Sequence, residues 1–97
     1  MDLNTIKETL KKNKKVISEK FGVKEIAIFG SYVSGEQNPS SDIDIHVILE
    51  ESRTTFDNYM DLRFFLEDLL GAKVDLLINN SIRTELRDIV KKSFVYV

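Results

Sequence analysis

The stretch IFGSYVSGEQNPSSDIDIHVIL, residues 28–49, joins two apolar runs through a polar loop. The first run, KEIAIFG, is short and almost continuously apolar, which is typical of a buried strand, and Ser31 follows its last glycine. The second run, DIDIHVILE, begins with two acids, Asp42 and Asp44. Burying two unpaired carboxylates costs free energy. Their presence at the start of a strand therefore needs a chemical explanation.

Hydrophobic periodicity divides the whole chain into alternating helices and strands. In chain order it predicts a helix over 3–20, a strand over 24–30, a loop that starts with one helical turn, and a strand over 42–50. A helix over 54–70, a strand over 72–79 and a last helix capped by Ser81 follow. The terminal FVYV segment either pairs as a short edge strand or docks as an extended tail. This order predicts an α/β (α+β) fold in which helices cover at least one face of a sheet.

The helix over 54–70 has a start signal and a broad apolar face. Thr54, followed by Asp57 three residues later, is a weak analogue of a capping box and places the first turn there. The apolar face consists of Phe56, Met60, Leu62, Leu66, Leu69 and Leu70. We expect this face to pack against the sheet.

Length and composition limit the possible classes of protein. The chain has 97 residues, of which 42% are hydrophobic, so we predict a single domain over 1–97. It has no cysteine, which excludes disulfides and thiolate metal sites. No secretion signal and no membrane-length apolar run is visible, so we expect a cytoplasmic protein without membrane contact. The net charge of −2 argues against direct binding of nucleic acid.

The two acids of the second strand point to a metal site. Because side chains alternate along a strand, Asp42, Asp44 and His46 share one face and the intervening apolar residues share the other. Two neighbouring carboxylates repel each other, and a bound Mg²⁺ or Mn²⁺ would remove that repulsion. His46 lies further along the strand and is either a support for the ligands or a tolerated polar residue.

Asp75 adds a third acid, in the apolar run KVDLLI. If its strand lies beside the strand of Asp42 and Asp44, three carboxylates come together as a two-metal site requires. Less specific readings stay open, because Asp-x-Asp pairs also occur in turns and Asp75 could simply pair with Lys73.

Gly30 and Ser31 are candidates for binding phosphate. Gly30 lets the backbone approach a ligand closely, and Ser31 supplies a hydroxyl and the first N–H groups of a helical turn. The segment is not a P-loop, because Glu36-Gln37 stands where Lys-Ser/Thr is required. Without the acids it would be an ordinary loop.

Gly-Ser, ten residues, then Asp-x-Asp resembles the signature of the polymerase-beta-like nucleotidyltransferase superfamily. With the short chain and the later VDLLI acid, the sequence is most similar to minimal nucleotidyltransferases, in particular to the antitoxins that pair with HEPN-domain ribonuclease toxins. The resemblance implies a small mixed sheet with flanking helices. It also implies that Asp42, Asp44 and Asp75 are catalytic and bind Mg²⁺, and that Gly30 and Ser31 contact the triphosphate.

In that branch the enzyme transfers AMP from ATP to a tyrosine of the HEPN toxin, so the resemblance implies a protein adenylyltransferase with ATP as substrate and a HEPN toxin as partner. Four aromatic residues, most of which suit core positions equally well, are candidate contacts with that partner in a homo- or hetero-oligomer if exposed: Tyr59, Phe64, Phe65 or Tyr96. One departure is that many relatives carry arginine where this chain has Ser34. Two alternatives follow: an antitoxin that acts by binding alone, or a nucleotidyltransferase acting on RNA or a small molecule.

Overall fold

The N-terminal part of the chain forms two helices, so the single helix predicted over 3–20 is wrong in this respect. In the computed structural model, which describes residues 1–38, 40–79 and 94–97, α1 spans Leu3–Lys12 and α2 spans Lys14–Phe21. Asn13 separates them, because its backbone N–H donates to carbonyl groups of the preceding turn and its side-chain amide donates to the Thr9 carbonyl at 2.8 Å. An asparagine that bonds its own backbone in this way favours a helix end.

The strands of the described residues are β1, Val23–Phe29, β2, Ile43–Leu49, β3, Val74–Ile78, and β4, Val95–Tyr96. These four strands form one mixed sheet in the order β3-β2-β1-β4. Strand β1 runs antiparallel to both β2 and β4, whereas β2 and β3 are parallel. The mixed sheet and the three longer strands confirm the prediction, and the terminal FVYV segment contributes the edge strand.

Helix α4, Phe56–Leu70, connects the parallel strands β2 and β3. Its cap is Thr55, whose hydroxyl accepts the Asn58 N–H at 3.2 Å, so the start predicted at Thr54 is wrong by one residue. The Thr54 hydroxyl instead donates to the Glu50 carbonyl at 2.9 Å, next to a short 3₁₀ turn.

Phe56, expected on the buried face of α4, is 75% exposed. At 100° per residue it lies about 80° around the helix from Leu66, at the rim of the buried face. Leu62, Leu66 and Leu70 fill the centre of that face and are fully or almost fully buried.

The hydrophobic core lies between the helices and one face of the sheet. Ile43, Ile45 and Val47 project from β2 into this core and are completely buried. The remaining buried members come from the three longer helices and from β1, β2 and β3: Ile6, Leu10, Ile17, Phe21, Val23, Ile26, Ile28, Leu49, Leu62, Leu66, Leu70, Val74 and Leu76. The alternate residues of the strands therefore occupy the opposite face, which carries the candidate site.

The helix predicted after Ser81 lies outside the described residues. The short helix α3, Ser31–Ser34, confirms the helical turn predicted at the start of the loop. Within the described part of the chain, no helix is long and apolar enough to cross a bilayer.

Candidate active site

Asp44 lies at the centre of the candidate site because the sheet register gives it two important neighbours. It is paired with Phe29 of the antiparallel strand β1 and with Asp75 of the parallel strand β3. The expectation that the third acid lies beside the Asp-x-Asp strand is therefore confirmed. Asp75 is exposed, whereas Asp44 is only partly exposed.

Gly30 leaves space for the Asp44 carboxylate on the side of β1. Its backbone has φ 76° and ψ −146°, a combination that only glycine adopts readily. A Cβ at this position would collide with Oδ2 of Asp44 and would lie 2.9 Å from Cγ. The sequence predicted that Gly30 leaves room for a ligand, and the structure shows that the room is occupied by the candidate catalytic carboxylate.

The surroundings of Asp44 destabilise its charged form. Burial, followed by the charge and hydrogen bond of Asp75 and the charge of Asp42, raises the pKa of Asp44 from 3.8 to about 6. The backbone N–H of Ser31 lowers this pKa, but by less. Within the described residues, no positive charge compensates the Asp44 carboxylate, as expected of a group that receives a cation.

The donor set fits a hard divalent ion, although the described residues contain no group of three or more acidic or histidine side chains already gathered around one point. Asp44 and Asp75 are register partners on adjacent strands, and carboxylate oxygens are the ligands that Mg²⁺ prefers. Asp42 precedes β2 and is exposed. Its side chain would have to turn toward the pair to complete a three-carboxylate site.

Helix α3 begins directly beside Asp44. The backbone N–H groups of Val33 and Ser34 both donate to the Gly30 carbonyl, at 3.1 Å each. The first N–H groups of any helix have no partner inside the helix, so those of Ser31 and Tyr32 are available to an anion or to Asp44 itself. Gly30 and Ser31 therefore adjoin the carboxylate site, and their binding of phosphate stays a prediction.

His46 is held by the protein rather than directed at the acids. It is 8% exposed, its Nε2 lies 2.8 Å from the Asn79 carbonyl, and its ring stacks on Phe94 with 5.3 Å between centroids. A buried imidazole that has a hydrogen-bond partner needs no further role. Of the two roles left open for His46, support of the metal ligands or a tolerated polar residue, the structure favours the second.

Of the four aromatic residues predicted as partner contacts, two are exposed and two pack against the core. Phe64 and Tyr96 are 54% and 49% exposed. Tyr59 and Phe65 pack against the core, and the Tyr59 hydroxyl donates to the Leu76 carbonyl at 3.0 Å. Phe64 and Tyr96 therefore remain as candidates.

The comparisons with known proteins agree with this geometry. Residues 10–97 match the nucleotidyltransferase domain model. The protein belongs to the nucleotidyltransferase family. The chain is 40% identical to the protein adenylyltransferase MntA of Thermococcus cleftensis, over 100% of this chain and 97% of that protein.

Two solved structures share the fold of this nucleotidyltransferase. One, described as a minimal nucleotidyltransferase, has a TM-score of 0.82 and 30% identity and covers 98% of this chain and 95% of its own. The other, a toxin–antitoxin complex with AMP-PNP, has a TM-score of 0.69 and 26% identity, over 88% of this chain and 69% of its own. The fold predicted from the resemblance is therefore confirmed.

Ser34 stands at the position where the resemblance led us to expect arginine. Ser34 is exposed there, and its hydroxyl lies 3.3 Å from the Ser31 carbonyl. Two cationic side chains, Arg63 and Lys73, instead line a groove of about 510 Å³ together with Asp42. Glu67, which lies 3.8 Å from Arg63, and Asp68 line the same groove, so acidic side chains outnumber the cationic ones there.

Proposed function

We propose that this nucleotidyltransferase is the antitoxin of a toxin–antitoxin pair and transfers AMP from ATP to a tyrosine of a HEPN-domain toxin. The likeness to a protein adenylyltransferase over the full chain and to a toxin–antitoxin complex with AMP-PNP supports this assignment. The observation that carries it is the contact between Asp44 and Asp75 beside Gly30 and Ser31. This contact brings a metal-binding carboxylate pair next to a phosphate-binding turn.

The acids have separate tasks in this proposal. Asp42 and Asp44 hold Mg²⁺, and Asp75 completes the site and takes the proton of the acceptor hydroxyl. Bound Mg²⁺ supplies positive charge that stabilises the triphosphate and the developing charge on the phosphoryl group. Because Asp75 is exposed, an acceptor from a separate protein can reach it.

The phosphate end of ATP is placed by the turn between β1 and α3. Ser31 offers its hydroxyl to the phosphates, and because Gly30 has no side chain, the Asp44 carboxylate lies directly against this turn. The acceptor oxygen bonds to the α-phosphorus while the bond from that phosphorus to the bridging oxygen breaks. Pyrophosphate leaves, and AMP remains on the acceptor.

Mass spectrometry of a mixture with a cognate HEPN-domain protein, ATP and Mg²⁺ tests the proposal. We expect a mass gain of the partner equal to one or more AMP groups, located on a tyrosine by peptide fragmentation. A Tyr→Phe variant of that partner and a sample with EDTA are the controls, and both should show no gain. An unmodified partner, alongside a related pair that reacts under the same conditions, would contradict the proposal.

A second candidate, neutralisation by binding alone, is favoured by Ser34, which brings no positive charge to the phosphates. It predicts that an Asp42→Asn/Asp44→Asn double variant still suppresses the toxin. Loss of suppression by a double variant that stays folded and still binds the toxin would exclude this candidate.

A further inference from the structure

Four aromatic rings cluster on the sheet face that carries the candidate active site. Phe94 lies at their centre, 5.3 Å between centroids from Phe29 and the same distance from His46. Tyr96 meets Phe94 edge-on at 6.0 Å. His46 is buried beneath the cluster, Phe29 and Phe94 are partly exposed, and Tyr96 is 49% exposed. We call Phe29, Phe94 and Tyr96 the aromatic platform.

The platform adjoins the phosphate end of the candidate site. Phe29 is bonded directly to Gly30 and is the register partner of Asp44. Tyr96 is the register partner of Ala27, three residues before Gly30 on β1. At roughly 3.3 Å per residue, the platform therefore extends about 10 Å along the sheet from the glycine. A nucleoside attached to a phosphate at Gly30 spans a comparable distance.

We propose that the aromatic platform stacks the adenine ring of ATP and that Tyr96 is its exposed contact. The proposal rests on the function proposed above, because it assumes that the triphosphate lies at Gly30 and Ser31. A base has two apolar faces and is stabilised by stacking on aromatic side chains. Phe94, which packs against both Phe29 and His46, holds the platform in place.

The sheet order favours the base over the acceptor as the occupant. Strands follow the order β3-β2-β1-β4, so Asp75 and Tyr96 lie on opposite sides of the central strands. In the proposed function the acceptor hydroxyl approaches Asp75. The platform lies on the other side, so a nucleotide whose α-phosphate lies at Asp44, between the two, can place its base on the platform while the acceptor hydroxyl approaches from the Asp75 side.

Calorimetric binding in Mg²⁺ buffer can separate the contribution of the base from that of the phosphates. The two ligands are α,β-methylene-ATP, which cannot transfer AMP, and inorganic tripolyphosphate, which has no base. We expect Tyr96→Ala to weaken the nucleotide about 10-fold and to leave tripolyphosphate unchanged. Tyr96→Phe keeps the ring and should bind both ligands like the wild type.

Two further variants guard against indirect effects. Tyr96→Thr lacks the ring but has a high preference for β-strands, so it tests stacking if Tyr96→Ala loses β4. Phe64→Ala removes an aromatic ring of similar exposure from α4, away from the site, and should change neither affinity.

The outcomes distinguish this proposal from the proposed function. If the wild type binds tripolyphosphate as tightly as the nucleotide, or if Tyr96→Ala and Tyr96→Thr bind the nucleotide normally, the stacking role is overturned while the phosphate site stands. Normal nucleotide affinity with slower transfer to the partner would assign the platform to the acceptor and would also overturn the proposal. If the wild type binds neither ligand, the proposed function fails, and the stacking role fails with it.

Discussion

The two faces of strand β2 have opposite chemistry although they belong to the same seven residues. Ile43, Ile45 and Val47 are completely buried against the helices, whereas Asp44 on the other face is partly exposed and lies against a second acid. Stability is therefore concentrated on one face and the candidate catalytic chemistry on the other. Substitutions on the two faces should separate folding from activity.

The largest expected effect is on activity. Asp44→Asn keeps the shape of the side chain but removes its charge, and we expect it to lower the rate of AMP transfer about 10³-fold. The free energy of unfolding at pH 7.5 should stay the same or rise, because a repelling charge is lost. Transfer kinetics and urea unfolding measure the two quantities. Asp61→Asn, an exposed acid of α4, is the matched control and should change neither.

Substitutions on the face of β2 that packs against the helices should lower stability rather than activity. Ile45→Ala removes a completely buried side chain, and we expect it to lower the free energy of unfolding by about 3 kcal/mol. Leu77→Ala, at a half-buried position beside His46 on the site face, should cost only about 1 kcal/mol. Equal losses in urea unfolding would contradict the assignment of the core to one face.

Gly30→Ala tests how closely the turn and Asp44 are fitted together. Backbone strain at φ 76° and the collision with the carboxylate should together lower the free energy of unfolding by about 2 kcal/mol. Combining it with Asp44→Ala removes the collision but not the strain. The free energy of unfolding of the double variant should therefore be higher than the sum of the two single changes predicts. Simple additivity in a double-mutant cycle would show that the two residues do not interact.

The smallest expected effect is a pH dependence of stability without divalent ions. The pKa of Asp44 is raised to about 6 in the fold, so between about pH 4 and 6 the folded state binds a proton more tightly than the unfolded chain. The proton bound to Asp44 therefore stabilises the fold fully below about pH 4, and this stabilisation is lost as the pH rises through about 6. Asp44→Asn lacks it, so its stability relative to the wild type should increase by about 1 kcal/mol from pH 4 to 7.5, after allowance for solvent screening. A constant difference across this range would contradict the raised pKa.

Local patterns were sufficient for most of the architecture. The alternation in DIDIHVIL identified which residues of β2 face the core, and the VDLLI acid was correctly expected beside Asp44. Helix ends were less predictable. Asn13 interrupts the first helical segment and Thr55 caps α4, because hydrogen bonds of individual side chains decide such ends and several nearby residues could make them.

The aromatic platform was missed because its members are separated along the chain. Phe29 ends β1, whereas Phe94 and Tyr96 belong to the last four residues. The alternation of aromatic residues in FVYV was the only available signal, and it predicts one shared face without saying which strand lies beside it.

The sequence by itself determined the residue types, the strand periodicity and the Gly-Ser to Asp-x-Asp spacing, because these depend on covalent neighbours and on the two-residue period of a strand. Only the tertiary structure decided that Gly30 makes room for Asp44, that burial and then the charge of Asp75 raise the pKa of Asp44, and that three separated aromatic residues share a surface with the acids. These relations depend on strand order and register. Both arise from the packing of the whole sheet against its helices, which no local segment contains.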